Sequence, residues 1–212
     1  KALDVDVVVE ATGLYVTYEK SRAHLAAGAK RVVITAPVKD EPPAGINGGT
    51  VLLGINEEKL KTCDISSNAS CTTNAAAPFM AVLDEKIGIE KAILNTVHGY
   101  TASQSIVDGP NKKDFREGRA AAQNIVPSTT GAAIAVTKAL PQLEGKFDGV
   151  SLRVPVVAGS IVDVTFIAKR ETSKDEVNNI LKDASNDPRW KSVLAVTEEE
   201  LVSTDIQGDS HA

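Results

Sequence analysis

The feature that most limits the fold lies near the start of the chain. The β-branched run Asp4-Val5-Asp6-Val7-Val8-Val9-Glu10 ends at Ala11-Thr12-Gly13, and a second apolar run, Arg31 to Ala36, follows soon after. A run of this kind, closed by turn residues, is the pattern of a buried strand. Lys1 to Glu10 therefore reads as strand and not as a signal peptide. Between the two runs, Thr17 to Ala27 sets Tyr18, Arg22 or Ala23, and Leu25-Ala26 at helical spacing, with Thr17 as N-cap and Gly28 where a C-cap glycine belongs. Strand, helix, strand in so little chain is a βαβ unit, and such units build the parallel sheets of nucleotide-binding folds.

Composition narrows the class further. A chain of 212 residues is long enough for one large domain or two small ones, and 42% hydrophobic against 24% charged residues excludes disorder. The net charge of -5 argues against nucleic acid or an anionic membrane as the main partner. No apolar run approaches the ~18 residues of a membrane span, so a soluble chain is expected. Cys63 and Cys71 are too few for a disulfide framework and lack metal-ligand spacing, which points to a reducing, cytoplasmic setting with no metal.

Farther along, Lys39 to Thr50 holds two prolines and three glycines and reads as a surface loop, with short strands at Val51 to Asn56 and Thr62 to Ser67. Thr73 to Ile87 is helical and stops at Gly88, and Ile89 to Thr101 is a long strand carrying His98. Periodicity vanishes from Ala102 to Asn124, a loop of the length that usually serves function, and a helix runs from Thr130 to Leu140. Val150 to Val157 and Ser160 to Arg170 read as a strand pair joined by Ala158-Gly159; Ser173 to Ala184 is an amphipathic helix; Ser192 to Thr197 and Val202 to Ile206 read as strands. The expected class is α/β: part of a Rossmann-type parallel sheet in residues 1–70, then an α+β domain with a mixed or antiparallel sheet in residues 71–212. The polar turn Gly208 to Ala212 and an opening inside a strand suggest a chain cut at both ends, which would leave apolar strand faces uncovered.

Chemistry concentrates in Ser66-Ser67-Asn68-Ala69-Ser70-Cys71-Thr72-Thr73-Asn74, which sets a thiol at a strand-to-helix turn. Free N–H groups and the positive end of the helix dipole favour a thiolate there. Cys71 is thus a nucleophile candidate, the alternative being a small buried cysteine of the kind assigned to Cys63. His98 lies at the end of the strand that follows, where its imidazole could reach the sulfur and act as acid and base. A hydrogen-bonded histidine at a strand end is the alternative. Arg153 interrupts an apolar strand and needs a carboxylate or phosphate partner. Ser128-Thr129-Thr130-Gly131 opens a helix with hydroxyls and free N–H groups suited to phosphate, or to plain N-capping. Lys112, Lys113, Arg116 and Arg119 sit in the long loop, where a solvated face is the simpler account of the lysines.

The segments Ala69-Ser70-Cys71-Thr72-Thr73-Asn74, Thr96-Val97-His98-Gly99-Tyr100-Thr101, Ser128-Thr129-Thr130-Gly131-Ala132-Ala133 and Leu152-Arg153-Val154-Pro155 occur in one order. Together they resemble the phosphorylating glyceraldehyde-3-phosphate dehydrogenase family, over nearly the whole chain. The resemblance implies that Cys71 attacks the aldehyde, that hydride passes to NAD, and that phosphate cleaves the resulting thioester, with His98 supporting the thiolate and the oxyanion and moving the proton. It implies Thr101 and Arg153 as the site for the substrate phosphate. Ser70, Thr72, Thr130 and Gly131 resemble the inorganic-phosphate site, with Arg116, or second Arg119, assisting. Thr12, Gly13 and Thr35 resemble the cofactor-contacting residues.

The same resemblance implies glyceraldehyde 3-phosphate and inorganic phosphate as substrates, a glycolytic or gluconeogenic role in the cytoplasm, and a homotetramer. The resemblance implies that the start of the long loop reaches toward the cofactor's adenosine ribose, and Asp108-Gly109-Pro110 there favours NAD over NADP, since proline offers no donor to a further phosphate. The family's glycine-rich loop, ribose-reading acid and C-terminal helix are not found in the sequence. An erythrose-4-phosphate dehydrogenase-like enzyme and a non-catalytic fragment remain the alternatives.

Overall fold

A computed structural model of the protein describes residues 4–212. The part of the expected first strand that falls on residues 1–3 lies outside the described residues. Sheet A is built from β1 (Val7–Glu10), β2 (Arg31–Ile34), β3 (Gly48–Thr50) and β4 (Ile65–Ser67), in the order β1-β2-β4-β3. All three pairings are parallel. Helix α1 (Tyr18–Ala26) makes the β1–β2 crossover; Thr17 caps it by accepting from the Lys20 N–H, and Gly28 leaves it with φ +114°. That Thr17 bond is of the sort that contributes about 1 kcal/mol to a helix.

The core under this sheet is small: Tyr18, Val32, Ile34 and Ile65. On β1, Val7 and Val9 are exposed, so one face of the edge strand is uncovered, as the sequence suggests.

Beyond Ser70, helix α2 (Cys71–Lys86) leads into β5 (Ile89–Gly99), followed by β6 (Val126–Thr129), α3 (Ala132–Ala139), β7 (Phe147–Val154), β8 (Ser160–Ala168) and α4 (Lys174–Asn186). Sheet B has the order β6-β7-β5-β8. One face of it packs on α2, α3 and α4 around Met80, Leu94, Val136 and Leu143. The other face leaves Ile93, Val150, Ile161 and Ile167 about half exposed.

Several expectations are corrected. Val150 to Val157 and Ser160 to Arg170 do not pair with each other. β5 lies between β7 and β8, parallel to the first and antiparallel to the second. The connection between them crosses over the end of β5 at Gly99, whose N–H donates to the Gly159 carbonyl at 3.0 Å. A Cβ on Gly99 would stand 2.5 Å from the Val156 carbonyl oxygen, so only glycine admits the crossing. Tight connection length had suggested a hairpin; the two open edges of an eleven-residue β5 take both strands instead.

Val51 to Asn56 is a turn, not a strand, because the Asn56 side chain accepts from Leu52 N at 2.8 Å and donates to the Thr50 carbonyl at 3.1 Å. The strand in that region is β3, inside the expected loop. β6 was hidden in the approach to α3, which starts at Ala132 and not at Thr130. Ser192 to Thr197 and Val202 to Ile206 form turns and irregular chain. Their apolar residues are used singly: Leu194 is buried, its N–H and that of Val193 turn back to the Trp190 carbonyl at 2.8 Å, and the two bonds with Ala212, at 2.8 and 3.2 Å, build no ladder.

Candidate active site

The turn from β4 into α2 is shaped by a strained residue. Ala69 has φ +56°, a left-handed conformation that costs a non-glycine residue on the order of 1 kcal/mol or more. Three contacts hold it there. Ala69 N–H donates to the Ser67 hydroxyl at 3.1 Å, and the Asn74 amide donates to the Asn68 and Ser70 carbonyls at 2.8 and 2.9 Å. Ser70 then caps α2 by accepting from the Thr73 N–H at 3.1 Å, and its hydroxyl pairs with that of Thr73 at 2.7 Å. Cys71 thereby becomes the first helical residue, at the carboxyl end of the parallel strands, where its N–H and that of Thr72 have no helical carbonyl to bond.

Cys71 is exposed and Cys63 is buried. The description of a buried structural cysteine therefore fits Cys63, whose thiol burial pushes up, and not Cys71. The Cys71 sulfur opens on a cleft of about 340 Å³ lined by Leu52, Asn68, Asn74, Ser192 and His211, among others. Nε2 of His98 stands 3.3 Å from Sγ. β5 delivers this imidazole, and β7 brings Arg153 beside it through the register His98↔Arg153.

Nδ1 of His98 has two partners of opposite kind, the Gly99 carbonyl at 2.6 Å and Nη1 of Arg153 at 2.6 Å. Arginine can only donate and a carbonyl can only accept. Facing Arg153, Nδ1 accepts and the ring proton sits on Nε2, toward the sulfur. Facing Gly99, Nδ1 donates and Nε2 turns a lone pair to the thiol. Nε of Arg153 is buried without a partner, so its guanidinium has unused donor capacity.

The remaining expected phosphate ligands are arranged less tightly. Thr101 is exposed, and Gln104, buried, accepts from its N–H at 2.8 Å and its hydroxyl at 3.3 Å. Thr72 is buried beside Cys71, with its hydroxyl 4.0 Å from the sulfur. The Thr130 hydroxyl accepts from the Ala132 N–H at 3.1 Å, which is a capping role, and Gly131 is exposed with nothing within 4 Å of a Cβ position.

Arg116 is not gathered with Cys71. Its guanidinium is engaged by Asp114 at 2.7 Å, and Arg119 is engaged by Asp108 at 3.1 Å. Both carboxyls are held below the ordinary range, Asp114 mainly by the Arg116 side chain and Asp108 mainly by the Ala120 N–H.

The expected cofactor residues cluster apart from these, at the carboxyl ends of β1 and β2. Gly13 has φ +73° with open space where a Cβ would be. It lines a cavity of about 600 Å³ together with Ala36, Lys39, Thr50, Ala69 and Gly131. Thr12 and Thr35 do not line it; their chain neighbours Gly13 and Ala36 do. Both threonines bond to Glu10.

Sequence reading missed Glu10, His24, Gln104 and the strap over Gly99. A carboxylate in the last position of a strand, beside a turn bearing threonine and glycine, was the available signal for Glu10. Nothing local marks His24.

Comparison with known proteins decides the family. Residues 70–212 match the model described as "Glyceraldehyde 3-phosphate dehydrogenase, C-terminal domain". The chain belongs to the glyceraldehyde-3-phosphate dehydrogenase family. It is 48% identical to the glyceraldehyde-3-phosphate dehydrogenase of Sclerotinia sclerotiorum over 97% of its own length and 59% of the relative's. For the Streptomyces coelicolor protein of that name the figures are 48%, 98% and 60%, and for that of Citrobacter freundii 48%, 97% and 67%. The chain thus spans about three fifths of the length of the first two relatives. Among the described residues no group of side chains is set to hold a metal, and no helix is long and apolar enough to cross a membrane.

Proposed function

We propose that this chain carries the catalytic centre of a cytoplasmic, phosphorylating glyceraldehyde-3-phosphate dehydrogenase of glycolysis or gluconeogenesis, using NAD and assembled as a homotetramer. The observation that carries the reading is the 3.3 Å approach of His98 Nε2 to an exposed Cys71 sulfur at the start of α2. Residues 1–70 then hold the cofactor side and residues 71–212 the chemistry. The exposed isoleucines of sheet B and the bare edge of β1 favour further subunits over an isolated chain.

The chain's own groups account for the steps. His98 takes the Cys71 proton, and the sulfur adds to the aldehyde carbon of glyceraldehyde 3-phosphate to give a thiohemiacetal. The Cys71 N–H, free at the helix start, faces the developing oxyanion. His98 returns that proton to the oxyanion, which becomes the thiohemiacetal hydroxyl, and accepts it again as this carbon is oxidised to a thioester. Thr12, Gly13 and Thr35 would hold the nicotinamide cofactor, which would supply the acceptor for the hydride that leaves. Phosphate then attacks the thioester carbon and releases the Cys71 thiolate, giving the acyl phosphate. Arg153 and Thr101 orient the substrate phosphate, and Arg153 also decides which way His98 faces. A phosphate that draws the guanidinium off Nδ1 lets that nitrogen donate to Gly99, so Nε2 presents its lone pair to the thiol. Ser70, Thr72, Thr130, Gly131 and Arg116 serve the inorganic phosphate, Arg116 after release from Asp114.

The test is alkylation of Cys71 by iodoacetamide at neutral pH, in a polypeptide of the relatives' full length that carries this sequence. His98→Asn is expected to slow the reaction clearly, because the sulfur loses its proton acceptor. Equal rates in the two proteins would overturn the pairing.

A further inference from the structure

Glu10 closes β1, and its side chain is 2% exposed. An ionised carboxylate in such a place costs several kcal/mol unless it is paired and hydrogen-bonded. Here both oxygens are used. Oε1 accepts from the Thr12 N–H at 2.8 Å and the Thr12 hydroxyl at 2.5 Å, while Oε2 faces Nε2 of His24 at 2.8 Å. The backbone carbonyl of Glu10 accepts from the Thr35 N–H at 3.0 Å and the Thr35 hydroxyl at 3.2 Å. One residue therefore ties the turn after β1 to the turn after β2, the two segments that bring Gly13 and Ala36 to the 600 Å³ cavity.

Strand packing does not require this arrangement. An apolar residue would fill the same volume without the charge, and the carboxylate makes no bond to a neighbouring strand. Its bonds go to one turn and to α1. The Tyr15 ring covers His24 at a centroid distance of 5.5 Å, so the pair is sheltered from solvent on that side. Polarity is set as well as position. The Thr12 hydroxyl donates to Glu10 and accepts from Leu14 N at 3.1 Å, and the Thr35 hydroxyl donates to the Glu10 carbonyl. What Thr35 leaves for a ligand is lone pairs, which match a ligand group carrying N–H, such as an amide.

We propose that Glu10 is a positioning residue for the cofactor: through Thr12 it fixes the Thr12–Gly13 turn, and through its carbonyl it fixes Thr35, with His24 locking the carboxylate in place. The inference rests on the dinucleotide reading of this cavity. It assigns no chemistry to Glu10.

Calorimetric titration of NAD into the cofactor-free protein of full length tests it, with iodoacetamide alkylation of Cys71 as the measure of an intact catalytic centre. Glu10→Ala is expected to raise the NAD dissociation constant about tenfold, the change that ~1.4 kcal/mol produces, and to leave alkylation unchanged. Glu10→Gln, which keeps the volume and one acceptor oxygen, is expected to move in the same direction by less. If the side chain acts through Thr12, Glu10→Ala added to Thr12→Ala weakens binding no further than Thr12→Ala alone. His24→Asn, which keeps an N–H for the carboxylate, is expected to bind NAD better than His24→Ala. NAD affinity unchanged in Glu10→Ala, strict additivity with Thr12→Ala, or a parallel collapse of Cys71 alkylation in Glu10→Gln would overturn the proposal. Failure of the unsubstituted protein to bind NAD, with Cys71 still reactive, would overturn the dinucleotide reading itself and this inference with it.

Discussion

His98 and His24 each bring Nε2 within reach of an acidic group, 3.3 Å from the Cys71 sulfur in one case and 2.8 Å from a Glu10 oxygen in the other. Their surroundings separate them. Cys71 is exposed on a cleft, and its histidine has a second nitrogen contested by Arg153 and Gly99, so the proton between sulfur and imidazole has alternative resting places. Glu10 is buried, and two hydrogen bonds from Thr12 to its carboxylate and two from Thr35 to its carbonyl leave it nothing to do but hold. An acid–histidine pair becomes a reaction centre when it has solvent access and an undecided proton. It becomes a structural clamp when neither is present. The predictions that follow set the two sites against each other.

The largest effect is expected at the reacting atom. Cys71→Ser is expected to lower aldehyde oxidation by the full-length enzyme to background, because a serine hydroxyl has no comparable ionised fraction at neutral pH. Glu10→Gln, assayed with saturating NAD, is expected to retain most of the turnover. Comparable losses in the two variants would erase the distinction between reaction centre and clamp. Removal of the partner histidine sharpens it further. A general acid–base group is worth roughly 10²–10⁴ in rate, so His98→Asn is expected to reduce turnover by that order, and His24→Asn is not.

The strap over Gly99 supports the first histidine and has no counterpart at the second. Gly99→Ala brings a Cβ to 2.5 Å from the Val156 carbonyl oxygen, an overlap of a kind that costs about 1–3 kcal/mol. Gly131→Ala, with nothing within 4 Å, is expected to stay within about 0.5 kcal/mol. Urea unfolding of both variants measures the difference, and similar midpoints would show that the connection can slide off the strand end.

These positions also show what a sequence can and cannot reveal. The βαβ unit was legible because propensity, capping and hydrophobic pattern agree over a short stretch: Thr17 and Gly28 flank α1 as their chemistry demands. Cys71 was legible because a thiol at a strand-to-helix turn is a local arrangement. Sheet B was not, since the choice of β5 as the common neighbour of β7 and β8 depends on edges made by distant residues. Glu10 and His24, fourteen positions apart, come together only once α1 has packed against the sheet. β6 escaped because four residues ending in Ser128-Thr129 carry no alternation strong enough to be told from a helix cap.

Two helices with the same cap allow a smaller test. Ser70 accepts from the Thr73 N–H at 3.1 Å at the start of α2, and Ser173 accepts from the Glu176 N–H at 3.2 Å at the start of α4. Replacing either by alanine is expected to destabilise the protein by about 1 kcal/mol. Only Ser70→Ala is expected to alter Cys71 alkylation as well, because its helix start presents the thiol. An alkylation rate unchanged in Ser70→Ala would mean that Asn74 and the Ala69 turn position Cys71 without help from the cap.

The smallest effect concerns acid stability, and its sign follows from the clamp. The bond from the Thr12 side chain, more than any other contact, holds the Glu10 carboxyl below the ordinary glutamate range, with the Thr12 N–H and His24 adding to it and burial opposing it. A group whose pKa is lower in the folded state contributes stability above its unfolded value, about 4.3 for glutamate, and that contribution fades as pH falls through the folded value. Glu10 thus stabilises the fold at neutral pH and loses its grip below about pH 4. Glu10→Gln is expected to lower the urea midpoint at pH 7 and to match the parent protein more closely as the pH approaches 3. Glu176 is also held below its ordinary range, chiefly by the Arg170 side chain, but that pair lies in solvent, where an ion pair contributes little. Glu176→Gln is therefore expected to change the pH 7 midpoint less than Glu10→Gln does. A larger loss in Glu176→Gln, or a Glu10→Gln deficit that grows as the solution is acidified, would show that the buried carboxylate is not the clamp its hydrogen bonds describe.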